Sequence, residues 1–358
     1  MLDLMKTKAL VAAFLMVFLA SCAPKDKYIV ISGFAQGGTY AVKLNLNGRE
    51  GRVKASPDEI RDSINTILLR IDNSLSGYNK GSLLSRLNAG ESITPDAFLK
   101  DMYDRSYEIY VDTDGGVDVA SAPLFDIWGF GFSSGEFPSD DKVSEVLASS
   151  GMKRLKRKME DAVGADGTLD ALSLLSEDVH DAGLPKLNFN AVAQGYSCDV
   201  IADYLYSIGV KDMLVDIGEF FCDGLNPSGK PWSIGIDKPV DGNNQRGAEL
   251  QGIFRAPSGP HGIVTSGNYR KFYVRGGKKY AHTIDPRTGR PVQHSLLSAT
   301  IVAKDATLAD AYATWCMVVG LDEAKAFLDS TPDFEGCLIY DDEGQMRTWC
   351  SAGFTLEE

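Results

Sequence analysis

Short strand-like segments separated by tight turns dominate the second half of the chain. Met213–Ile217, Trp232–Ile236, Gly262–Thr265, Lys271–Val274, Ala299–Val302 and Cys337–Tyr340 are apolar and rich in β-branched or aromatic residues. Their alternation is mixed, and several are joined by short connections. Parallel neighbours need a crossover of a dozen or so residues, whereas antiparallel neighbours need only a hairpin. The pattern predicts an α+β fold with a mixed, largely antiparallel sheet and flanking helices rather than a doubly wound parallel one. No repeat or low-complexity linker divides the 358 residues, and 44% apolar content is ordinary for a globular protein.

Five helices are legible between these segments. Ser56-Pro57-Asp58-Glu59 combines a capping serine, a first-turn proline and a glutamate three residues after the cap, the signature of a helix start. Ile60, Ile64, Ile67, Leu68, Ile71 and Leu75 follow at helical spacing and give it one buried face. Thr94-Pro95 starts a second helix that runs to about Val111. A third spans Val192–Ile208 and stops at Gly209, a fourth spans about Thr307–Val319 and stops at Gly320, and Asp322 opens a fifth. Residues 133–181 are polar and include the basic run Lys153–Lys158. They read as a surface helix and hairpin with a solvated charged face.

Charge and the N-terminus narrow the function. Asp plus Glu number 49 and Lys plus Arg 36, a net charge of −13, which argues against a nucleic-acid binder. Lys6 and Lys8 precede an apolar run, Ala9–Phe18, followed by Leu19-Ala20-Ser21-Cys22. This is the layout of an export signal, and it is too short to span a bilayer comfortably. Leu-Ala-Ser-Cys resembles the bacterial lipobox. Residues 1–21 are therefore expected to be a lipoprotein signal, Cys22 the lipidated residue, 22–30 a tether and 31–358 the folded domain. The protein is then exported and anchored in a bacterial membrane, facing the periplasm. Of the five remaining cysteines, none shows C-x-x-C or zinc-finger spacing. Cys198 and Cys316 sit in apolar helical contexts and read as buried thiols. Cys337 with Cys350 is the pairing to test.

Six clusters rich in Gly, Asp, Asn and Thr hold the candidate chemistry: Gly37–Tyr40, Asp114–Asp118, Asn188–Tyr196, Thr265–Arg270, His282–Gly289 and Ala309–Thr314. Asn188–Tyr196 is a polar turn feeding a helix N-terminus, which favours anions. Asp310 and Thr314 are four apart and so share one helix face. A carboxylate and a hydroxyl there suit a hard cation such as Mg²⁺. The same spacing also fits a surface aspartate and a threonine bonded back to a carbonyl. His282 is the only one of four histidines inside a cluster. Neutral imidazole suits a general base; a phosphate or carbonyl partner is the other reading. His180, His261 and His294 read as surface or loop residues. No P-loop, H-E-x-x-H or G-x-S-x-G motif is present.

In order along the chain, these clusters resemble the ApbE family of FAD:protein FMN transferases. The matching pieces are Gly38 to Tyr40, Tyr78 with Ser82 to Asn88, Gly115 to Asp118, Pro123-Leu124 and Trp128 to Gly131. They continue through Ala191 to Tyr196 with Asp199, Val215 to Gly218, Trp232 to Asp237, Thr265 to Arg270, His282 to Gly289 and Asp310 to Thr314. The resemblance implies a single large ApbE-like (T-fold-like) domain that uses FAD as a substrate. It implies transfer of the FMN half to a threonine hydroxyl of an acceptor protein, with release of AMP. Asp310, Thr314 and the backbone oxygen of Ala191 would hold Mg²⁺. Gly37, Tyr78, Gly116, Val117, Asp118, Asn188, Gln194 and Ile284 would contact FAD, and His282 would take the acceptor proton. The implied acceptor is a membrane-associated redox subunit.

Four positions depart from the family pattern. Gly37 replaces a methionine, Asn188 an aspartate, Gln194 a lysine or glutamate, and Glu219 the second glycine after Ile-Gly. Asn188 and Gln194 keep hydrogen-bonding capacity but lose charge. Two further outcomes stay open on these residues: a periplasmic FAD pyrophosphatase giving FMN and AMP, and a non-catalytic flavin-binding lipoprotein.

Overall fold

Eight strands build the central sheet: β1 (Tyr28–Ala35), β2 (Gly38–Asn45), β3 (Met213–Asp216), β4 (Phe220–Asp223), β5 (His261–Gly267), β6 (Leu296–Ala303), β7 (Glu335–Asp342) and β8 (Gln345–Cys350). They lie side by side in chain order, and every ladder between them is antiparallel. The computed structural model describes residues 27–48, 51–130, 137–179, 183–243, 245–269, 272–275 and 278–357. Cys22, His180, Arg270 and the expected export signal lie outside them.

Period-two alternation assigns the faces of this sheet. Val42, Leu44, Met213 and Val215 turn toward the helices, whereas Leu214 and Cys222 turn away. Helix α1 (Pro57–Leu75) begins at the expected capping box, in which Ser56 and Glu59 exchange bonds. Its Ile60, Ile64 and Leu68 pack with Ile201 and Leu205 of a later helix against the first strands. Helix α2 (Ala97–Asp112) starts later than Thr94-Pro95. Its cap is Asp96, whose side chain accepts from the Leu99 N–H at 2.9 Å, and Pro95 belongs to the extended approach. Helices α3 (Ala193–Ser207), α4 (Ala306–Val319) and α5 (Leu321–Ser330) match expectation to within a few residues. On the opposite face, strands Ser233–Asp237, Leu250–Arg255 and Leu356–Glu357 form a second antiparallel sheet. Its Ile234 and Phe254 pack on Leu214, Ile263 and Ile339.

The polar region after residue 133 differs from its reading. A helix, Asp140–Ala148, is followed by three short 3₁₀ turns, and isolated bridges, Leu155 with Leu175 and Leu169 with Ile93, stand where a hairpin was expected. Met152 and Met159 are fully buried, so packing of these two side chains pins the segment to the core. Among the described residues, no helix is long and apolar enough to cross a membrane.

Candidate active site

Helix α4 is the axis of the site. It lies across β5 and β6 and against α3. Its N-terminus is held by two carboxylates. Asp305 caps it by accepting from the Leu308 N–H, and Asp199 of α3 accepts from the N–H groups of Ala306 and Thr307, each at 2.8 Å. A helix N-terminus rewards such acceptors twice, through its unpaired N–H groups and its dipole. Burial nevertheless pushes the Asp199 carboxyl up to about 6. The two helices approach closely at Gly195, where an added Cβ would stand 2.1 Å from the Ala306 carbonyl oxygen.

This approach brings Asp310 onto the first turn of α3, where its Oδ2 accepts from the Gly195 N–H at 3.0 Å. Asp310 is only 6% exposed. Burial first, and the negative charge of Glu219 second, hold its carboxyl well above the usual carboxylate range. Glu219 is the last residue of the tight β3–β4 turn, and its Oε2 accepts from the Thr265 N–H at 3.3 Å. One turn along α4, the Thr314 hydroxyl lies 3.5 Å from that of Ser266 on β5. Asp310 and Thr314 thus face the same side, as their spacing requires. Ala191 lies in the turn that leads into α3.

Asp310 at the start of α3, the like-charged Glu219 that acts on it and, one turn along the same helix face, the Thr314 hydroxyl are the oxygen groups on this side of α4. Among the described residues, no three His, Cys, Asp or Glu side chains converge on one point. Mg²⁺ fits such a set, because it takes one or two carboxylates and completes its shell with substrate phosphates and water. A cation there would offset the repulsion that Asp310 and Glu219 impose on each other. Glu219 is the residue that the sequence reading undervalued. It stood out only as a missing glycine, and its neighbour across space is 91 residues away in the chain.

The Gly115–Asp118 turn abuts the other end of α4. A Cβ on Gly116 would stand 2.6 Å from the Trp315 ring, so only glycine lets the turn lie there. The Val117 N–H donates to the Thr113 hydroxyl at 3.1 Å. Asp118 accepts from the N–H groups of Ala120 at 2.8 Å and Met152 at 3.0 Å, yet burial pushes its carboxyl up to about 6. A cavity of about 260 Å³ opens beside this turn, with Tyr110, Asp118, Ser150, Lys153 and Arg287 among its lining residues. Among the described residues, the buried Ser150 hydroxyl has no hydrogen-bond partner.

The remaining expected residues surround these two features. The Asn188 N–H donates to the Val119 carbonyl at 2.7 Å, which joins the Asp118 turn to the approach of α3. The Asn188 side chain accepts from the Asn190 N–H, and Asn190 Nδ2 donates to the Tyr78 hydroxyl at 3.3 Å. Tyr78 is 67% exposed. Gln194 donates through Nε2 to the Ile217 carbonyl at 3.2 Å, so its amide braces the β3–β4 turn. Gly37 lies with Gln36 at the β1–β2 hairpin tip, and Gln36 donates to the Ser197 hydroxyl on α3. Ile284 turns its side chain into an apolar cluster with Leu124, Trp128 and Val143, and its backbone pairs with Pro291 in a two-stranded ladder.

His282 is half-buried, with its ring 6.5 Å from that of Phe130 in an edge-on arrangement. The adjacent Thr283 donates to Asn268 Oδ1 at 2.6 Å, which ties the His282 segment to the end of β5. His294 lies in the exposed loop before β6, as expected. It packs beneath the C-terminus of α4 within 2.9 Å of the Met317 carbonyl, and burial lowers its pKa. His261 opens β5.

Comparison with known proteins identifies the family of the chain. The sequence profile of the ApbE family matches residues 37–338. A FAD:protein FMN transferase of Escherichia coli K12 is 32% identical over 309 residues, covering 83% of this chain and 81% of its own. One from Vibrio cholerae is 31% identical over 353 residues, covering 96% and 97%. The solved flavin transferase ApbE from Vibrio cholerae superposes with a TM-score of 0.73 at 28% identity, over 91% of this chain and 98% of that one. The apo flavinyl transferase ApbE from Pseudomonas stutzeri gives 0.74 at 27%, over 91% and 95%. The chain belongs to the ApbE family.

Proposed function

We propose that this protein is a FAD:protein FMN transferase that moves FMN to a threonine hydroxyl of an acceptor protein. The acceptor oxygen forms a bond to the phosphorus of the FMN half. The bond from that phosphorus to the bridging oxygen breaks, and AMP leaves with that oxygen. The observation that supports this reading is the packing of Asp310 on Gly195, which sets a carboxylate against the start of α3, with the Thr314 hydroxyl one turn along the same helix face. Phosphoryl transfer depends on positioning and charge neutralisation more than on covalent help from the protein.

Asp310, Thr314 and the Ala191 carbonyl would hold Mg²⁺, with Glu219 adding charge behind them. When bound, Mg²⁺ neutralises pyrophosphate oxygens and the developing charge on AMP. The N–H groups that open α3 face the same anion. Gly116, Val117 and Asp118 shape the wall along which FAD lies, and Tyr78 offers a ring face. His282 Nε2 or Nδ1 accepts the acceptor hydroxyl proton. Gln194 and Asn188 support this site through neutral hydrogen bonds where the family pattern has charges.

We further propose that Cys22 carries a lipid anchor that holds the enzyme on a bacterial membrane, facing the periplasm, beside a membrane-associated redox acceptor. Cys22→Ser should release the protein from the membrane fraction; unchanged fractionation with normal signal cleavage would exclude the anchor.

Purified protein, FAD, Mg²⁺ and a threonine-bearing acceptor peptide test the transfer directly. Mass spectrometry should find FMN covalently on the peptide and none on its Thr→Ala counterpart. FMN and AMP free in solution, with no adduct, would instead favour a pyrophosphatase.

A further inference from the structure

We infer that Cys337 and Cys350 form a cross-strand disulfide that closes the β7–β8 hairpin and locks the edge of the main sheet. The two residues are direct partners in the antiparallel register of β7 and β8. Opposite residues in such a ladder have Cα atoms about 4.5–5.5 Å apart, inside the roughly 4.4–6.8 Å range that disulfides span.

The surrounding bonds hold this pair in place. The Gly336 N–H donates to the Ser351 hydroxyl at 2.8 Å, and the Gly353 N–H donates to Glu335 at 2.9 Å. Both thiols are free in this structure, and these bonds fix the backbone on either side of the pair. The alternatives are excluded by place. Cys222 lies on β4, three strands from β7 in the sheet, or roughly 14 Å at the usual strand spacing. Cys198 and Cys316 are buried in α3 and α4 on the helical face.

The two thiols are also unequal in a useful way. They hydrogen-bond to each other, which lowers the pKa of Cys350, while that bond and burial raise that of Cys337. Cys350 is half-exposed and Cys337 is 1% exposed. The Cys350 thiolate therefore attacks a low-molecular-weight or protein disulfide, and one donor thiol leaves. Cys337 then gives up its proton and displaces the second donor thiol from Cys350. Two protein thiols are oxidised and one donor disulfide is reduced. The bridge would secure β8 and, through Cys337 and its neighbour Phe354, the C-terminal strand of the second sheet. This inference does not rest on the flavin-transfer reading.

The test is peptide mapping of full-length protein, first reduced and then incubated with oxidised glutathione. Alkylation under denaturing conditions without reductant should find two fewer reactive thiols. Mass spectrometry should find one linked pair of peptides, carrying Cys337 and Cys350. The oxidised form should melt roughly 5–10 °C above the reduced form, and Cys350→Ser should abolish that difference. An unchanged thiol count, or a link between other cysteines, would overturn the inference even if the variant does not fold.

Discussion

Asp310 of α4 accepts a hydrogen bond from the backbone N–H of Gly195 at 3.0 Å, so one carboxylate both joins two helices and faces the start of α3. The carboxyl is buried beside the like charge of Glu219. Such an arrangement is costly for the empty protein and useful to one that binds a cation there.

Asp310→Asn separates these roles. The amide oxygen can still accept from Gly195, while the charge is gone. Thermal melting should be unchanged or raised, because a buried like-charge pair has been relieved. FMN transfer should fall by at least about 10²-fold. Unfolding of the variant, or full activity, would show that the carboxylate is structural or incidental.

Gly195→Ala addresses the helix approach. A methyl group 2.1 Å from a backbone oxygen forces α3 and α4 apart. Destabilisation of about 1–3 kcal/mol is expected, read as a lower urea midpoint. An unchanged midpoint would mean that the two helices separate without cost.

Much of this was written in the sequence. Ser56 and Glu59 announced the capping box of α1, and the apolar spacing from Ile60 to Leu75 announced its buried face. Asp310 and Thr314 were placed on one face by helical geometry alone. The role of Glu219 was not legible, because β3–β4 turn, β5 and α4 must all be assembled before its carboxylate meets Asp310. The start of α2 was missed for a local reason: Thr94-Pro95 resembles a helix start, but Asp96 makes the capping bond. The 3₁₀ turns after Ser149 were hidden because burial of Met152 and Met159, rather than any periodic pattern, fixes that segment.

Asp118 gives a pH dependence. Burial raises its folded pKa from 3.8 to about 6, so between these values the folded state binds the proton more tightly than the unfolded chain. This contribution to stability is present below about pH 4 and is lost as pH rises through about 6. Denaturation of the wild type should show that decline, and Asp118→Asn should flatten it. Parallel pH profiles for the two proteins would contradict the assignment.

His282→Ala tests the proton acceptor. Single-turnover transfer should slow by about 10²–10⁴-fold, with FAD affinity little changed. The wild-type rate should rise with pH as the general base loses its proton. A variant that loses FAD binding but keeps its rate at saturation would make His282 a phosphate ligand instead.

The central claim is that FMN passes to a protein hydroxyl and not to water. The most direct measurement is the ratio of AMP released to FMN bound covalently, with FAD, Mg²⁺ and the threonine-bearing acceptor at saturation. Transfer predicts one AMP for each FMN on the acceptor, and little AMP when the acceptor is omitted. AMP release that proceeds at the same rate without acceptor, with no covalent FMN, would contradict the account.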